Sequence, residues 1–182
     1  MLGRTAARAG RLAEARDLLD AARAGYLRAG EPGEALSTEV RIAECLVLAG
    51  QNAAAEALAA DLAAQAVARG MGAEAAALDR LRGYLLAQQG QPAPAAEAFQ
   101  TSLASARQRR ALYDEALSLD ALIRLASHVG QPAIHAQVAQ RAALFERLGV
   151  IAAAAFPLSA PPADAEPATP TSGAGLRPAP GS

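Results

Sequence analysis

Apolar residues recur along this chain at steps of three and four. Leu12, Ala15, Leu19, Ala22 and Tyr26 form one such stripe, and Leu112, Ala116, Leu119, Leu122 or Ile123, and Ala126 form another. That spacing returns to one face of a helix every turn, whereas a half-buried strand alternates at every second residue. No stretch combines alternation with β-branched residues, so the pattern predicts helices and no strands. Glycine marks where the stripes end. Gly10, Gly50, Gly90 and Gly130 stand forty residues apart, and a second set of breaks falls midway, at Gly30-Glu31-Pro32-Gly33, Gly70-Met71-Gly72 and the less obvious Arg110-Ala111. The breaks predict helices at about 11–29, 34–49, 52–69, 73–89, 93–109, 112–129 and 132–148, after a half-length helix at about 2–9. Glycine just past the last apolar turn supplies a left-handed cap, and Pro92 and Pro132 stand where a missing N–H does no harm.

Self-similarity at a fixed period of roughly 20–50 residues signals a solenoid, in which each unit buries its apolar face against the next. Each forty-residue unit here is two helices. The hydrophobic content of 52% is high enough for a core, but much of it is alanine. Alanine buries little area and has the best helix propensity, so the core should come from many close helix contacts and few large side chains. Gly83 falls in mid-helix, where glycine costs roughly 1 kcal/mol in propensity, and is worth keeping only if a neighbouring helix comes too close for a side chain.

The formal charge of −1 argues against direct nucleic-acid binding, which needs a basic patch. All basic residues are arginine, and the one dense cluster, Arg107-Gln108-Arg109-Arg110, closes a helix, where cations complement the carbonyl-rich end. Cys45 is alone, which excludes an internal disulfide and suits a reducing, cytoplasmic setting. No run reaches the ~18 apolar residues of a membrane span, and the first residues lack the apolar run of a signal peptide. After Gly149 the composition shifts to Ala and Pro, with prolines at 157, 161, 162, 167, 170, 178 and 180. The chain therefore divides into a helical repeat domain at 1–150 and a tail at 151–182, which reads as disordered from about 156 onward.

The motif after each glycine resembles that of the tetratricopeptide repeat family, whose second helix carries glycine, an acid and alanine, then a bulky and a small residue. Gly10-Arg11-Leu12-Ala13-Glu14-Ala15 with Leu19 and Ala22 matches fully, and Gly90 with Ala95, Phe99 and Ser102 nearly as well. Gly50 with Ala55, Ala59 and Leu62 is weaker, and Gly130 departs at His135. The small residue seven before each glycine recurs as Gly3, Ala43 and Gly83, but is Ile123 in the last unit. The units are longer than the family's usual ~34 residues. In that respect they are similar to repeats at the C-terminal end of large bacterial ATP-dependent transcription regulators and multidomain cyclases; HEAT-like arrays are the second choice of fold. The resemblance implies an all-α right-handed superhelix of antiparallel helix hairpins with about 3.5 repeats over 1–149. The first unit starts halfway through its leading helix, so the chain reads as the C-terminal piece of a longer array or as one whose true start lies upstream.

No catalytic constellation, phosphate-cradling loop or metal spacing is legible, and no cofactor is expected. His128 and His135 stand seven apart with no acid or cysteine at ligand spacing, and Asp114, Glu115 and Asp120 read as first-turn acids plus one groove-facing charge. In tetratricopeptide arrays the first helix of each unit lines a concave groove. The resemblance places Arg4, Arg8, Ser37, Val40, Glu44, Arg80, Tyr84, Gln88, Asp120, Arg124 and His128 there. Arginine forks onto carboxylates and Tyr84 offers a flat anchor with a polar tip. The expectation is a non-enzymatic protein-interaction scaffold of bacterial regulation or signalling that takes a protein or peptide, preferably acidic. The alternative is an effector-sensing segment of a larger regulator or cyclase, with a small molecule in the same groove.

Overall fold

The computed structural model describes residues 3, 6, 7, 10–151, 153 and 155–159. Seven helices are complete among them: α1 Leu12–Arg28, α2 Pro32–Leu48, α3 Asn52–Ala68, α4 Gly72–Gln88, α5 Pro92–Gln108, α6 Leu112–His128 and α7 His135–Leu148. Gly3, Ala6 and Ala7 are helical ahead of α1. The described residues contain no strand. Each helix packs against the next, and α4 also touches α2 and α6, so the elements stack as a helical solenoid with α2, α4 and α6 side by side. No described helix is long and apolar enough to cross a membrane.

The first six helices are each 17 residues long and start every twenty residues, half the spacing of the conspicuous glycines. One linker geometry produces this regularity. After α1, the Gly30 N–H bonds the Leu27 carbonyl and the Glu31 N–H reaches back to Tyr26 at 2.9 Å, the double bond of a Schellman cap. The same pair recurs after each of the next five helices. The residue at the turn has positive φ every time, and it is glycine except for Arg110, at φ 56. No side chain caps the N-terminus of any of these seven helices, so the linkers depend on this C-terminal device.

Small residues bring the helices together. Ala15, Ala55 and Ala95, each at the same place in its unit, are all 0% exposed. A Cβ on Gly83 would lie 2.3 Å from Cε1 of Phe99, the largest fully buried side chain, so α4 and α5 meet where only a hydrogen fits. Polar bonds cross the stack as well: the buried Ser102 hydroxyl donates to the Ala76 carbonyl (2.7 Å) and lies 2.9 Å from that of Ser118, joining α4, α5 and α6.

Two expectations need correction. The last helix begins at His135 instead of about 132, with Ile134 extended before it. His135 stands where the earlier units bury alanine, and it is exposed, so the burial that anchors the first turn of those helices is missing here. No residue of α7 is buried. It is held by polar bonds instead, from Arg107 to Gln140, from Gln140 to Glu115 and from Arg141 to Asp120. The tail expected from about 156 is also wrong at its start, because Phe156, Pro157 and Leu158 lie on the array and Leu158 is only 8% exposed. Residues 160–182 lie outside the described residues.

Candidate functional site: a groove across α2, α4 and α6

Because these helices repeat at forty residues, positions forty apart form rows across the stack. Val40, Arg80 and Asp120 make one row, and Glu44, Tyr84 and Arg124 the next. At their centre is a cavity of about 200 Å³ walled by α2, α4 and α6, with Leu19 of α1 at one side and Phe156 at another.

Tyr84 is the hub of this arrangement. Its ring meets Phe99 edge-on at 5.0 Å between centroids and stacks on Phe156 at 4.8 Å and 20°. Burial pushes its hydroxyl up to about 12, against the lowering effect of the Arg80 and Arg124 guanidiniums, so the phenol is a neutral anchor at physiological pH. Arg124 Nη2 donates to the Phe156 carbonyl at 2.6 Å. Gln88 Nε2 donates to the next carbonyl, that of Pro157, at 2.8 Å, while its oxygen accepts from Asn52 at 2.6 Å. That relay fixes the direction of the Gln88 amide.

The charges around the cavity are largely matched. Arg80, 5% exposed, stands 3.7 Å from Asp114, which also faces Arg109 at 3.6 Å. Glu44 pairs with Arg41 at 2.6 Å and Asp120 with Arg141 at 2.8 Å. Nη1 of Arg124 is nevertheless buried without a hydrogen-bond acceptor among the described residues, and Nη1 of Arg80 has only the 3.7 Å approach to Asp114, beyond hydrogen-bond distance. Buried donors of this kind favour an incoming oxygen over an apolar group.

Of the residues the sequence assigned to the groove, Glu44, Arg80, Tyr84 and Asp120 line the cavity, and Gln88 and Arg124 bind the segment beside it. Val40, at 0% exposure, belongs to the core beneath and presents nothing to a ligand. Ser37 is committed to Glu74 of α4 at 2.7 Å, and His128 is exposed at the end of α6, away from the cavity. Arg4 and Arg8 lie outside the described residues. Sequence reasoning missed Arg41, Asp114 and Phe156 as wall residues. The first was legible as the next position along the groove-facing helix. Asp114 was read as a dipole-favoured first-turn acid, which its place in α6 allows, but its partner Arg80 is on α4. Phe156 carried no signal, because it follows the last repeat.

Among the described residues no group of three or more His, Cys, Asp or Glu side chains is placed to hold a metal ion. Cys45 lines the cavity, but burial, with the Glu44 charge beside it, raises its thiol to about 11, which leaves it a poor nucleophile at neutral pH. No protein-family model, no curated protein and no solved structure matches this chain.

Proposed function

We propose that this chain is a tetratricopeptide-like interaction module that binds an extended segment of a partner protein in the groove of α2, α4 and α6, in the cytoplasmic regulation or signalling of a bacterium. One observation carries the reading. Arg124 and Gln88 donate to two successive backbone carbonyls, Phe156 and Pro157, while Tyr84 stacks on the ring of Phe156. Bonds to main chain combined with a flat apolar contact are the chemistry of peptide recognition, in which the backbone gives affinity and the pocket gives choice. The regulatory setting follows from the resemblance to the repeats of bacterial regulators.

The test is a peptide array probed with the intact chain and with Tyr84→Phe and Arg124→Ala. A set of peptides whose binding is weakened severalfold by Arg124→Ala and little by Tyr84→Phe fits the groove as described. Peptides bound equally by wild type and Arg124→Ala would place the working surface elsewhere.

A second reading has its own support in the cavity of about 200 Å³ and in Nη1 of Arg80 at its wall, which faces Asp114 at 3.7 Å without a hydrogen bond. In it a small effector bearing a carboxylate or phosphate enters beneath Phe156 and controls an attached or partner domain. A thermal shift with such compounds that disappears in Arg80→Gln would favour this reading over the peptide.

A further inference from the structure

Phe156, Pro157 and Leu158 contact the groove as a ligand would. The aromatic ring lies on Tyr84 with centroids 4.8 Å apart, and its carbonyl accepts from Arg124. The next carbonyl accepts from Gln88, and Leu158 enters the apolar core. Each position has its own reason. Proline has no N–H to leave unpaired and biases the residue before it toward extended backbone, so an aromatic-Pro step arrives already shaped for two successive side-chain donors. Such preorganisation reduces the ordering cost of binding.

The link to the array is short. Seven residues separate the end of α7 at Leu148 from Phe156. A segment tethered this closely faces its site at an effective concentration in the millimolar range. Any free peptide of similar chemistry must compete with it.

Resting on the peptide reading of the groove, we propose that the groove selects partner segments in which an aromatic residue is followed by proline and an aliphatic residue, and that Phe156-Pro157-Leu158 is a resident competitor of the same class. The segment sets the threshold for partner binding. A partner that reproduces the three contacts displaces it, and one that also offers an oxygen to Nη1 of Arg80 or Arg124 gains a bond that the resident segment does not make. Opening this contact removes the cavity wall that Phe156 provides.

The probe is a fluorescein-labelled peptide copying residues 153–160, titrated by anisotropy against the full chain and against full-length Phe156→Ala/Leu158→Ala. With millimolar cis competition and a free-peptide Kd of about 100 μM, the variant should bind roughly tenfold more tightly than wild type. Adding Arg124→Ala to the double variant should weaken binding severalfold, and a peptide with Ala in place of the aromatic should not bind. Far-ultraviolet circular dichroism on each variant ensures that a folded array is compared, and Arg124→Ala, at a half-buried side chain, serves where Tyr84 substitutions unfold the chain. Equal affinity in wild type and double variant would overturn the competitor. Array peptides bound in the groove but lacking any aromatic-Pro-aliphatic member would overturn the proposed specificity while leaving the peptide groove intact; no peptide bound by either protein at millimolar concentration would overturn both. A dimer lost in the double variant would identify a second copy of the chain as the occupant and overturn the competitor held in cis.

Discussion

Replacing Gly83 by alanine sets two effects of opposite sign against each other. In an exposed helix interior the change would stabilise by about 1 kcal/mol, the propensity difference between the two residues. Here the new methyl group would stand 2.3, 2.5 and 2.9 Å from Cε1, Cδ1 and Cζ of Phe99, where ordinary contact begins at 3.4 Å. The ring must therefore retreat by about 1 Å, and it has little room to do so. Phe99 is 0% exposed and already in edge contact with Tyr84 at 5.0 Å. Overpacking costs about 1–3 kcal/mol, and losing the edge contact adds about 0.5–1.5 kcal/mol. Steric cost wins, for a net destabilisation of about 2 kcal/mol and a melting temperature lower by about 4–8 °C. The assay is thermal and urea unfolding followed at 222 nm for Gly83→Ala, Phe99→Leu and the pair. The smaller leucine side chain should accept the methyl group, so the pair should be more stable than the two single effects predict by at least ~1 kcal/mol. A stabilised Gly83→Ala would refute the close approach of α4 and α5, and additive effects would refute Phe99 as the cause.

Three further outcomes are expected. Arg110 occupies the left-handed turn that the other linkers give to glycine, with φ 56, so Arg110→Gly should raise the melting temperature by about 2–4 °C, and an unchanged or lower value would show that contacts of the arginine side chain offset its strain. Truncation after residue 152 should lower the melting temperature by several degrees, because it uncovers Tyr84 and removes the buried Leu158; no change in a differential scan would mean that the segment contributes no net stability. Cys45 and Tyr84 release their protons near 11 and 12 in the folded chain against ordinary values of 9.0 and 10.0, so stability is full below about pH 9 and falls as pH rises through 11 and 12. Urea midpoints across that range should drop less steeply in Cys45→Ala, and identical slopes would show that the thiol does not contribute.

The fold was legible because the punctuation is local. A glycine at a positive-φ turn and alanine five places later are short-range requirements, repeated often enough to exceed chance, and they predicted the helices to within about two residues through α6. The site was less so, because pairing between helices is not a local property. Position 19 of the first unit holds Leu, and the equivalent later positions hold Ala59, Phe99 and Ala139; opposite them run Gly3, Ala43, Gly83 and Ile123. Large faces small in the first and third units, where the Cβ of each glycine would strike the bulky partner, and the order reverses in the last. Read one column at a time, Ile123 looks like a lapse in the repeat. In the structure Ile123 is buried while Ala139 is exposed on α7, a helix with no buried residue, so the last unit does not repeat the tight large-on-small contact of the first and third.

Electrostatics was the part of the site least available to the sequence, and it bears on which partner is preferred. The sequence offers Arg80 and Arg124 as cations for an acidic partner, with Glu44 and Asp120 among them to temper the preference. In the structure Arg80 faces Asp114, Glu44 and Asp120 are taken by Arg41 and Arg141, and Arg124 commits one nitrogen to a backbone carbonyl. What remains for an anion is Nη1 of Arg124, without an acceptor, and Nη1 of Arg80, which has no hydrogen bond but already faces Asp114 at 3.7 Å, within an assembly of charges that nearly cancel. An acidic residue beside the aromatic-Pro-aliphatic core should then raise peptide affinity by only about two- to fivefold at 0.05 M salt, as a pair near a solvated rim is worth about 1 kcal/mol or less. At 0.5 M salt, where screening acts within about 5 Å, the gain should vanish while the aromatic contribution persists. Anisotropy titrations of matched peptides, with Glu or Gln at that place, measure both terms. A Glu advantage of more than tenfold that survives 0.5 M salt would refute this balance and make Arg80 a direct receptor for the carboxylate, because only a pair shut off from water escapes screening.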